Sequence, residues 1–152
     1  MKSKRFLLIL GMILIFINFT VTLGFTQKNV PLPPEIEIVP PSPALSPELA
    51  AFSGRWEGVW EGELESVLIV EEIDSQEARV IYAWGDAPRW RTDKGYSRNV
   101  ARVIAGSRAK IEWGGGERPK FTFEMGKDFK SIKGIRKFRD SYATITMKRV
   151  QR

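Results

Sequence analysis

From Gly54 onward the sequence alternates apolar and polar residues in one short segment after another, and a period of two restricts that part of the chain to β-sheet. In residues 55–62, Trp56, Gly58 and Trp60 share one face while Arg55, Glu57 and Glu61 take the other. Leu64–Ile73 is a strongly apolar strand, and residues 78–85 align Val80, Tyr82 and Trp84. Residues 99–105, 110–113, 121–125, 129–137 and 142–149 complete the set. Turn chemistry separates most of them: Asp74-Ser75-Gln76-Glu77, Gly106-Ser107, Gly114-Gly115-Gly116 and Gly126-Lys127-Asp128. Eight strands joined mostly by hairpin-length turns predict an all-β fold, an antiparallel up-and-down barrel, since closure removes the exposed edges of a long meander. One short helix precedes it, with Ser46 as cap, Pro47 in the first helical position and Glu48 in the first turn, stopped by Ser53-Gly54. Eight strands enclose an interior that side chains fill, or that holds one small ligand.

The chain upstream of this domain reads differently. Lys2, Lys4 and Arg5 precede an apolar run from Phe6 to about Phe25, the order of an export signal. Thr22-Leu23-Gly24 offers small residues for cleavage, and a run of this length also spans a bilayer. Residues 1–25 are therefore expected to be a signal peptide or an N-terminal membrane anchor. The protein is expected to be exported, periplasmic or secreted, with any contact to the membrane made through an uncleaved N-terminus. Residues 26–46 carry Pro31, Pro33, Pro34, Pro40, Pro41 and Pro43 and predict an extended, semi-rigid spacer, with Glu35 to Val39 as a short edge strand. The barrel domain then occupies residues 47–152.

Two residue types are missing, and their absence bounds the chemistry. With no histidine, Ser–His–Asp and Cys–His nucleophile systems are excluded. With no cysteine either, haem ligation and zinc sites built from these residues are excluded, and no disulfide supports the fold. The core must rest on packing, for which the aromatic residues are the main resource; the whole chain has nine Phe and five Trp, of which five Phe and all five Trp follow Phe25. No catalytic residue, metal or cofactor is assigned; only carboxylate, lysine or tyrosine chemistry stays open to an enzyme. Net charge is +6, unevenly placed: acids crowd Glu48 to Glu77 and basic residues dominate from Ala78 onward. Charge balance between neighbouring strands accounts for this, as does an anion-binding surface; nucleic acid is not expected as a partner of an exported chain.

The opening of the domain, a short helix running into Gly54-Arg55-Trp56, resembles that of the lipocalin and wider calycin barrels, and of small lipocalin-like domains of bacterial exported proteins. That resemblance implies a Gly-x-Trp at the closed end of the barrel, Gly54 and Trp56 here. A basic residue from the last strand would pack across the tryptophan, Arg149 or alternatively Lys148. It also implies, as a habit of the family, the binding of a small hydrophobic or amphipathic ligand. The residues themselves offer a site in the longest loop, 85–97, where Arg89, Trp90, Arg91 and Tyr96 could stack or clamp a ligand. Tyr82 and Trp84, facing one way beside it, are candidates to line the same pocket. The alternative is an interaction module with a filled barrel, tethered on its spacer, that binds an envelope protein or the cell wall.

Overall fold

The computed structural model describes residues 30–150. The expected export segment and the start of the spacer lie outside these residues. The described chain is the expected barrel: eight antiparallel strands in sequence order, closed by pairing of the first with the last. The strands are β1 (Gly54–Trp60), β2 (Leu64–Ile73), β3 (Glu77–Trp84), β4 (Gly95–Ile104), β5 (Lys110–Gly114), β6 (Lys120–Met125), β7 (Ser131–Phe138) and β8 (Ser141–Val150). Helix α1 (Pro47–Ala50) leads into β1, capped by the Ser46 hydroxyl, which accepts from the Leu49 N–H. The Glu48 carboxylate reaches further and accepts the Ala109 N–H at 3.0 Å, tying the helix to the turn before β5.

Two strands begin more than one residue away from where their patterns indicate. Residues 129 and 130 belong to a turn, where Phe129 has φ 54° and Asp128 accepts from the N–H groups of Lys130 and Ser131, so β7 starts at Ser131. β4 starts at Gly95 rather than at residue 99, pairing Gly95 with Trp84 and Ser97 with Tyr82. Its first inward positions are Gly95, Ser97 and Asn99, which carry no apolar signal. The long loop is therefore 85–94.

The end of the barrel beside α1 is sealed. Trp56 is fully buried and its indole N–H donates to the Phe52 carbonyl at 2.8 Å. Arg149, its register partner on β8, places its guanidinium 4.3 Å from the Trp56 ring centre. The same guanidinium donates to the carbonyls of Ser53 and Ala51, satisfying the end of the helix. Arg149 thus fills the position expected of it. Trp60, Phe123, Met125, Ile132 and Met147 fill the barrel above this seal. Gly134 is required there: a Cβ would sit 2.4 Å from the Phe123 ring and 2.6 Å from Ile145.

The outer wall is laced by ion pairs between neighbouring strands, Arg79 with Glu72, Arg102 with Glu112, Lys120 with Glu112, and Arg108 and Lys110 with Glu124. Arg79 of β3 answers the acidic β2 in this way, and Arg102 of β4 answers Glu112 of β5. Arg102, on the face of Val100 and Ile104, points outward.

The proline-rich segment corrects two expectations. Residues 35–39 are not a strand; they make one backbone bond to the sheet, from the Val39 N–H to the Glu71 carbonyl at 2.8 Å. Glu71 lies at a β-bulge in β2, where the register shifts between Val70 and Glu72 and frees that carbonyl. The segment is extended but does not stand clear of the barrel. Val30, Leu32, Ile36 and Ile38 pack on an outer apolar group, Val67, Ile69, Ile81 and Ala83. Glu71 is consequently buried beneath the segment, paired with Arg98 at 2.7 Å, while Arg98 also donates to the Glu35 carbonyl.

Candidate functional site

At the end opposite α1 the barrel is open. A cleft of about 620 Å³ lies between loop 85–94, the first half of β4 and the turn joining β5 to β6. Its floor is aromatic. Trp113 stacks on Phe121 with ring centres 5.2 Å apart and on Phe123 at 5.5 Å, and Tyr82 packs on Phe121 at 4.9 Å. Tyr82 turns its polar tip down, away from the cleft. Its hydroxyl oxygen accepts the Trp60 indole N–H at 2.8 Å and lies 3.1 Å from the Ser66 hydroxyl. Burial pushes the Tyr82 phenol pKa above its ordinary value, so it stays neutral and presents a ring, not a charge, to the space above.

The loop over this floor is fastened. Ala87 and Thr92 form a bridge with bonds of 2.9 and 3.2 Å, Pro88–Trp90 makes one turn of 3-10 helix, and Arg91 closes it in the left-handed region at φ 49°. The Trp84 indole N–H donates to the Asp93 carbonyl, and the Asp86 carboxylate accepts the Lys94 N–H, both at 2.8 Å. Trp90 is held partly buried over the cleft, with the Arg136 guanidinium 5.6 Å from its ring centre.

Of the residues expected here, Tyr82, Trp84, Trp90 and Arg91 come together in the cleft. Arg89 and Tyr96 do not. The Arg89 side chain is 88% exposed and leans toward Glu63, and its N–H caps the same carboxylate. Tyr96 lies on β4 with its side chain on the outside of the barrel, 46% exposed. The sequence reading missed Trp113, Phe121, Arg118, Arg136 and Asp93, which also line the cleft. Arg136 had a visible signal: it shares the inward face of β7 with Ile132 and Gly134, an arginine on an apolar face.

The electrostatics of the cleft differ from those of the wall. Arg91, Arg118 and Arg136 all line it, and among the described residues none has a carboxylate partner. One acid, Asp93, lies among them, so the lining carries a net positive charge. A second groove, about 410 Å³, runs beneath the proline-rich segment, but there Glu71 and Arg98 already pair. Among the described residues no group of three acidic side chains is placed to hold a metal ion.

Comparison with known proteins adds no relative: no family model, no curated protein and no solved structure matches this chain.

Proposed function

We propose that this is an exported, lipocalin-like binding domain whose mouth cleft takes a small amphipathic ligand with a flat apolar body and an anionic end. The observation that carries the reading is the set of three guanidiniums without carboxylate partners among the described residues, over an aromatic floor. An apolar pocket with a few convergent polar groups is the usual form of a small-molecule site. Aromatic faces would take the body of the ligand, and arginine forks match a carboxylate, sulfonate or phosphate. The loop is already ordered by its own hydrogen bonds, which lowers the cost of binding. The Trp56–Arg149 seal supports the lipocalin resemblance, since it closes one end and leaves the other for ligand.

Titration with naphthoate and with neutral naphthamide, followed by tryptophan fluorescence, tests this. A charge-assisted contact contributes ~1.5–3 kcal/mol, so naphthoate should bind about tenfold or more tightly. Equal affinities, or no binding of either, would overturn the proposal. Native mass spectrometry of protein released gently from its own compartment should show a mass adduct lost on denaturation.

A further inference from the structure

The barrel wall has a gap, and backbone geometry shows what it exposes. β4 runs for ten residues, but β5 pairs only with Arg102, Val103 and Ile104. Beyond Glu112 β5 no longer pairs with β4 but continues along β6 to Gly114, and Gly114, Gly115 and Gly116, all at positive φ, turn the chain into β6. At Gly114 the bend is tight: a Cβ there would sit 2.0 Å from the Pro119 carbonyl oxygen.

The parity of β4 follows from one bond. The Val103 N–H donates to the Gln76 carbonyl, on the β3 side, at 2.8 Å. In an antiparallel ladder successive residues turn their backbone groups to opposite neighbours. Residues 95, 97, 99 and 101 therefore serve β3, while Tyr96, Arg98 and Val100 turn their N–H and C=O groups into the gap. Among the described residues those six groups have no hydrogen-bond partner. Outside the edge, Tyr96 and Val100 are exposed, the latter 61%. Inside lies the aromatic floor, and at the mouth end of the gap stand Arg91 and Arg118, which have no carboxylate partner among the described residues.

We propose that the edge Tyr96–Val100 accepts an extended segment of another polypeptide as an added strand, with an acidic residue of that segment lying by Arg91 and Arg118. Strand addition gives affinity through main-chain bonds and specificity through alternate side chains. Outward side chains of the guest would lie beside Tyr96 and Val100, which favours β-branched and apolar residues. Inward ones would enter the cleft. The inference goes beyond the small-ligand reading and stands on backbone rather than on side-chain charge alone, so the two can fail separately.

The probe is an acetylated, amidated hexapeptide with a glutamate at each end and alternating isoleucine and valine between, titrated against the full chain. Binding should fall about tenfold or more when alternate amides of one set are N-methylated, and stay unchanged when the other set is. Tyr96→Pro removes one gap-facing N–H that the barrel does not use, and proline is tolerated on such an edge. This variant should keep its melting temperature and its naphthoate affinity while losing the peptide. Absence of peptide binding, equal effects of the two N-methylated sets, or undiminished binding to a folded Tyr96→Pro protein each overturns the proposal. So does a dimer that Tyr96→Pro dissociates, since a second copy would then hold the edge. If the variant does not fold, the N-methylation result on the natural protein decides alone.

Discussion

The two ends of this barrel use the same residue types for opposite purposes. At the sealed end an arginine lies over a tryptophan and spends its donors on the Ser53 and Ala51 carbonyls. At the mouth an arginine also lies over a tryptophan, Arg136 over Trp90, but on a longer contact and with no carboxylate partner among the described residues. Trp56 is fully buried; Trp90 is not. The first pair closes the structure, and the second leaves hydrogen-bonding capacity for something else. An Arg–Trp contact is thus no indicator of function by itself; what separates a seal from a site is whether the donors of the arginine are already satisfied.

Breaking each half should therefore give different results. The largest effect is expected at the seal. Trp56→Ala should cost ~3–5 kcal/mol and lower the melting temperature steeply, whereas Trp90→Ala should stay within about 1 kcal/mol of the natural protein and weaken naphthoate binding. Thermal melts of both variants check this, and equal losses would erase the contrast. Next comes the arginine pair. Arg149→Leu should destabilise by ~1–3 kcal/mol, since two carbonyls lose their donor, while Arg136→Gln should leave stability nearly unchanged and reduce naphthoate affinity about tenfold.

Tyr82 sits between the two ends and sharpens the comparison. Tyr82→Phe strands the Trp60 N–H and the Ser66 hydroxyl, a cost of ~1–3 kcal/mol. Its phenol is raised by burial, so the folded state favours the neutral form. The stability this brings is complete below the pKa of an unfolded tyrosine and is lost as pH rises through the raised folded value. Alkaline unfolding should accordingly be shallower in Tyr82→Phe, measured from urea midpoints across the alkaline range. The smallest effect belongs to the wall. Hydrogen bonds from Arg102 first, and then from Lys120, hold the Glu112 carboxyl below the usual carboxylate range. That contribution is present above the ordinary glutamate pKa and lost as pH falls through the depressed one. Both cations are well exposed, so Glu112→Gln should flatten the acid limb by no more than about 1 kcal/mol.

Strand order and closure were legible because most strands write their inward face in large apolar residues: Leu64, Leu68 and Val70 on β2, or Phe121, Phe123 and Met125 on β6. The start of β4 was not, since Gly95, Ser97 and Asn99 face inward and mimic a loop. That same smallness leaves room for the cleft. Half the floor was hidden for a related reason. Trp113 and Phe121 belong to strands far from the long loop in sequence, and only closure of the barrel brings them under Trp90. The edge strand expected over residues 35–39 does not form among the prolines of residues 30–46, yet proline says nothing against apolar packing, and Ile36 and Ile38 pack.

The proline-rich segment also has a bearing on the order in which the molecule assembles. Its polar fastenings join Glu35 to Arg98, 63 positions away, and Glu37 to Glu71, 34 positions away. The two landing sites sit on the wall that β2, β3 and β4 build together, so the segment is expected to dock on a sheet already made. It is the first of the described residues to be synthesised and among the last to find its place. A spectroscopic label on Ile36 would therefore report completion of the wall beneath it rather than the collapse that precedes it.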